Sequence, residues 1–144
     1  MGILWAAVVV SLSLLCWGGQ AVSWFAPRTA VRLTLTEAEG TVEAAYFADV
    51  RGEALWDILT LWTMPVAGVL LLVDEPAWAY FGLVGGGMYA YFAGRGIFTR
   101  RAMQHRGYRI GAAQSVKVGY LFLSIWGVMG LITIAAAIVA LSSS

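Results

Sequence analysis

The sequence predicts an all-α integral membrane protein, a four-helix transmembrane bundle with both termini outside and two cytoplasmic loops. Three observations predict it: an apolar composition, four long stretches without Asp, Glu, Lys, Arg or His, and the confinement of every basic residue to two connections. Hydrophobic residues make up 60% of the 144 and charged residues 12%, whereas a soluble domain carries about 25% charged residues. The mean hydropathy is +0.78. A soluble fold of this length has too little interior to hide that much apolar surface.

The uncharged stretches are Gly2 to Pro27, Ile58 to Val73, Pro76 to Gly94 and Val118 to Ser144. Each approaches the ~20 residues that carry a helix across ~30 Å of hydrocarbon. The chain therefore reads as a single membrane domain, residues 1–144, with spans at about 3–26, 54–73, 77–97 and 118–141 and loops at 27–53 and 98–117.

The first span is expected to be retained. Met1, Gly2 and Ile3 supply no basic leader, and the apolar run continues past Gly18 and Gly19 to Phe25. Leu15 stands before Cys16, where lipoprotein processing needs a small residue. The second span gains a turn from Ala54, Leu55 and Trp56, which places Asp57 near the interface. Pro65 is expected to kink it, with a hydroxyl of Thr60 or Thr63 taking the freed carbonyl. In the third span Gly82, Gly86, Ala90 and Gly94 recur every four residues and form a small-residue stripe for close helix packing. The fourth offers Gly127 and Gly130, a weaker packing pattern.

All nine basic residues lie in two connections: Arg28, Arg32 and Arg51 between the first and second spans, and Arg95, Arg100, Arg101, Arg106, Arg109 and Lys117 between the third and fourth. The connection Asp74, Glu75, Pro76 has none. Positive charge accumulates on the cytoplasmic side, and two intervening spans return the chain to that side. Spans two and three then form an antiparallel hairpin.

In the first loop Val31, Leu33 and Leu35 alternate with polar residues in a period-two pattern. Thr36 and Glu39 are spaced as a capping box. Val42, Tyr46 and Val50 suggest a short amphipathic helix on the inner membrane surface. Trp5 and Trp78 suit the outer interface, and Trp24, Phe25, Trp56, Phe98 and Tyr120 the inner one. Trp62 and Trp126 sit deeper, where large rings pack between helices.

The charged chemistry gathers at the inner surface. Asp49, Glu53 and Asp57 step by four and share one helix face, within reach of Arg95, Arg100 and Arg101. The candidate polar site is thus Arg51, Glu53, Asp57, Arg95, Arg100 and Arg101, with Arg51 and Arg95 suited to an anionic group and Asp57 or Glu53 to a proton. The competing reading is a set of solvated ion pairs between loops. One cysteine, Cys16, excludes an internal disulfide, and one histidine, His105, excludes a multi-histidine metal or haem site. No metal, cofactor or nucleic-acid partner is expected. An ion-coupled transporter would carry ionisable groups at membrane depth, whereas Asp57 and Arg95 are expected near the inner ends of their spans.

These features predict a multi-pass protein of the cell membrane whose activity is not written in its residues. Its leading reading is a non-catalytic helix bundle or accessory subunit, assembling through its transmembrane helices with copies of itself or in a larger membrane complex. The alternative is a glutathione- or lipid-handling membrane enzyme. Four spans in this length, a long first cytoplasmic loop, a short outer turn, Arg51, and the run Gly94, Arg95, Gly96, Ile97, Phe98 resemble the membrane-associated proteins of eicosanoid and glutathione metabolism. The resemblance implies a trimer, with Arg51 and Arg95 on glutathione. Leu55 and Ile58 stand where that family has Asn and Glu, and Phe98 lacks a tyrosine's hydroxyl.

Overall fold

The computed structural model describes residues 2–143. Met1, read above for a leader, and Ser144, the end of the fourth uncharged stretch, lie outside the described residues. Among the described residues the fold is helical with no strand: α1 Ile3–Phe25, α2 Pro27–Arg32, α3 Ala44–Thr60, α4 Thr63–Leu72, α5 Trp78–His105 and α6 Ala113–Ser142, with a 3-10 turn at Glu39–Thr41.

Three helical runs are long and apolar enough to cross a membrane: Ile3–Phe25, Ala44–Leu72 and Ala113–Ser142. Helix α5 has 28 residues, about 42 Å at ~1.5 Å per residue, so its length would suffice. Its composition separates it from the other three. Gly82, Gly85, Gly86, Gly87 and Gly94, with Tyr80, Tyr89, Tyr91 and Arg95, replace the Leu, Ile and Val that fill the others.

Helices α3 and α4 form one broken rod. Pro65 has no N–H to offer the Leu61 carbonyl, and its ring crowds the preceding turn. Leu61 O instead accepts Met64 N–H at 3.3 Å. The carbonyl left over, that of Thr60, accepts the Thr63 hydroxyl at 3.1 Å. The kink and its hydroxyl repair follow from the Pro65 and Thr63 pairing in the sequence.

Residues 73–77 reverse the chain between α4 and α5. Asp74 takes a left-handed backbone (φ 57°), and Glu75 N–H reaches back to Leu70 O at 2.9 Å, closing the end of α4 as a left-handed cap does. At the other end of α5, Gly107 makes the same kind of reversal (φ 78°).

Helix α5 sits between α4 and α6, and α1 packs against α3 and α4 with a light touch on α6. The contacts are close because glycines face each other. A Cβ on Gly86 would lie 2.8 Å from the Gly130 carbonyl oxygen, and one on Gly85 would lie 2.8 Å from the Met64 backbone. Gly68 of α4 is equally filled by Val9 and Val10 of α1. Where lipid removes the hydrophobic drive between helices, such approaches supply the van der Waals contact that holds them.

Side-chain donors then tie the helices by their backbones. Tyr89 Oη donates to Ser13 O at 2.8 Å, Trp126 Nε1 to Leu12 O at 2.9 Å, and Trp17 Nε1 to Ile58 O at 3.0 Å. The first two fix adjacent carbonyls of α1 to α5 and α6. Val9, Cys16, Leu61, Met64, Tyr89, Phe92, Leu123 and Met129 fill the core around them.

The first loop departs from its sequence pattern. Val31 belongs to α2 and Leu33 and Leu35 to the turn after it, with all three exposed. Pro27 at the first helical position presets the backbone for a helix, which defeats the short alternation. Thr36 and Glu39 form no capping box, since neither the 3-10 turn nor α3 has a side-chain cap. No separate surface helix forms either. Tyr46 lies on α3, which runs unbroken to Thr60, and it buries with Val42 against Ile110 of the other loop.

Candidate functional site

The two polar connections dock on one another at one end of the bundle. Glu43 N–H donates to Arg109 O at 2.8 Å. Gly111, with φ 134°, lets the Glu37 side chain lie against its backbone, where a Cβ would come within 2.7 Å of Glu37 Oε1. Val42, Tyr46 and Ile110 close an apolar plug beneath, packed by Phe47, Val50, Met103 and Val116. Two loops that share a core must lie on the same side of any membrane the helices cross.

Below this plug, α3 and α5 hold a charged cluster. Asp49 and Glu53, one helical turn apart on α3, both grip Arg95 of α5. Arg95 donates from Nη1 to Glu53 Oε1 at 2.8 Å and to Asp49 Oδ2 at 3.3 Å, and from Nη2 to Asp49 Oδ1 at 2.5 Å. The Glu53 side chain is 8% exposed and that of Arg95 32%, so the pair works in a medium drier than a surface salt bridge.

The remaining cations of the predicted site make no direct ion pair with these acids among the described residues. Arg51 turns toward the end of α1, where Nη1 donates to Ser23 O at 2.6 Å and Trp24 O at 3.2 Å and the guanidinium lies 4.6 Å from the Trp24 ring. A cation there meets the negative end of the helix dipole. Arg100 donates back to Gly96 O at 3.0 Å and covers the Tyr46 ring at 5.7 Å. Arg101 is exposed. The structure thus brings together Glu53 and Arg95, adds Asp49, and separates Arg51 from them.

Asp57 lies one turn deeper than Glu53 and is buried, at 4% exposure. Its Oδ2 has no hydrogen-bond partner among the described residues. It lines a cavity of about 180 Å³ together with Gly52, Glu53, Trp56, Tyr91, Phe92 and Arg95. No group of three or more His, Cys, Asp or Glu side chains among the described residues converges on a metal position.

Comparison with known protein families, with characterised proteins and with solved structures found no match. The reading of the site therefore rests on its geometry. An anion at the cavity would meet Asp57 and Glu53, with Arg95 already saturated by two carboxylates. The geometry does not favour the anionic ligand suggested by counting arginines.

The small-residue stripe divides in the same way. Gly82 and Gly86 face α6 at Thr133, Ile134 and Gly130, while a Cβ on Gly94 would meet nothing within 4 Å. Gly130, read from sequence as the weaker candidate, is the direct counterpart of Gly86.

Proposed function

We propose that the chain is a four-span, multi-pass protein of the cell membrane, with both termini outside, acting as a non-catalytic bundle that assembles through its helices. One observation carries the assembly. Tyr80, Val84, Gly87, Tyr91 and Phe98 are all exposed on α5, with half-exposed Gly94 completing the row. Their spacing alternates between four and three residues, which is one continuous seam along a helix. A Cβ at Gly87 or Gly94 would meet nothing within 4 Å, so a second backbone can approach there.

The seam belongs to the least apolar long helix. Tyr80 and Tyr91 present hydroxyls that find no hydrogen-bond partner among the described residues. In hydrocarbon such groups favour a protein neighbour over lipid. The docked loops support the four-span count, because α5 must return the chain to the side from which α3 departs.

Two measurements test these readings. Native mass spectrometry of gently extracted protein is expected to show an assembly that Gly87→Leu reduces to the single chain while the helix content is unchanged; a wild-type chain that is monomeric and carries no partner overturns the assembly. Ser142→Cys is expected to react with an impermeant thiol reagent applied from outside the cell. Reaction only from inside overturns the topology.

A further inference from the structure

The ion pairs beside the cavity leave one acid without a partner. Asp49 and Glu53 face Arg95 directly, and the Arg100 charge acts on Glu53 as well. Those two acids and two guanidiniums form a neutral set. Asp57 is left over as a buried carboxyl group whose Oδ2 has no hydrogen-bond donor among the described residues, in the wall of a cavity that has room for a ligand. Leaving such a group unpaired is costly, and it is the kind of defect that a bound partner repairs.

The rest of the wall suits a cation. Trp56 and Tyr91 line the cavity, and both are more than half exposed, at 56% and 61%. Phe92, also in the lining, is buried. Aromatic faces attract ammonium groups, and the more so where water is excluded. The cavity volume of about 180 Å³ is far more than a single water requires. With α3 spanning a membrane, as proposed above, the exposed Trp56 would face lipid, where an amine with an apolar tail would reside.

We propose that this cavity binds a primary alkylammonium group, its N–H donating to the Asp57 carboxylate and its charge flanked by the Trp56 and Tyr91 rings. The lining residues all come from one chain; Tyr91 among them is a member of the α5 seam, and Trp56 on α3 lies outside it. The same chemistry could be delivered by a free amine or by the headgroup of an ethanolamine lipid.

Calorimetric titration of the protein in phosphatidylglycerol nanodiscs, corrected against empty discs, compares hexylammonium with hexanol. Hexylammonium is expected to bind at least about tenfold tighter, the scale of one charge-assisted hydrogen bond. Asp57→Asn is expected to abolish that preference, and Trp56→Leu to weaken hexylammonium while leaving hexanol unchanged. Equal binding of the two probes to the wild type overturns the site even if Asp57→Asn fails to fold, and so does undiminished hexylammonium binding by that variant. Repeating the titration in ethanolamine-lipid discs identifies the source: a weakened response assigns the site to the headgroup, and an unchanged one to a free amine.

Discussion

Gly86→Val is expected to separate α5 from α6 and to unfold the bundle under conditions that leave the wild type intact. A Cβ at this position meets Ile134 Cγ1 at 2.6 Å and the Gly130 carbonyl oxygen at 2.8 Å. The Ile134 side chain can rotate away, but the carbonyl belongs to the α6 backbone and moves only if the helices part. Overpacking typically costs ~1–3 kcal/mol, and a clash against backbone belongs at the top of that range. The helices would also lose the contact that the glycine pair creates, the main attraction available between helices in lipid. The check is an unfolding titration from mild detergent into dodecyl sulfate, followed by circular dichroism. Gly119→Val provides the control, because a Cβ there meets nothing within 4 Å. Equal midpoints for Gly86→Val and the wild type would show that α5 and α6 do not cross at this pair.

The contrast between Gly86 and its neighbours shows what the sequence could disclose. A four-residue recurrence of small residues marked α5 as a packing helix, and a helix is the only context in which that spacing has meaning. The recurrence could not say which side of the helix faces inward. Gly85, outside the stripe, is as tightly packed as Gly86, whereas Gly94, inside it, is open. Gly130 carried only the weaker pattern it shares with Gly127, because its role arises from Gly86, far away in the chain. The same limit applies to the ties on α1: nothing local to Leu12 or Ser13 announces that Trp126 and Tyr89 will donate to their carbonyls.

For the charged cluster, the i, i+4 spacing of Asp49, Glu53 and Asp57 was legible because α3 is continuous through all three. The reach of α3 to Arg95 was legible too, since the N-terminal half of α3 and the C-terminal half of α5 both adjoin the two basic loops. Arg51 was misassigned for a geometric reason. It lies two residues from both Asp49 and Glu53, so on a helix it points about 200° away from each, toward α1. No sequence pattern distinguishes an arginine that serves a site from one that caps a neighbouring helix. The first loop failed differently: its alternation spans too few residues to outweigh a proline at the start of α2.

Arg95→Met is expected to destabilise the loop-bearing end of the bundle more than any other single charge removal. Methionine keeps most of the side-chain volume but leaves Asp49 and Glu53 without their shared partner, next to Asp57, which already lacks one. Removing one partner of a fully buried pair costs ~3–5 kcal/mol. Because the Arg95 side chain is 32% exposed, water recovers part of that, and a loss of about 2 kcal/mol is expected. The double variant Arg95→Met with Glu53→Gln decides whether the loss comes from stranded charge. Glutamine needs no counter-charge, so the double variant is expected to recover about 1 kcal/mol relative to Arg95→Met alone, a coupling measurable by a double-mutant cycle. Strictly additive losses would mean that Arg95 and Glu53 are not coupled, and that the carboxylates of α3 are satisfied by water. The cycle therefore also tests the charge arithmetic of the cavity, since Asp57 is the unbalanced carboxylate only if Arg95 is committed to Asp49 and Glu53.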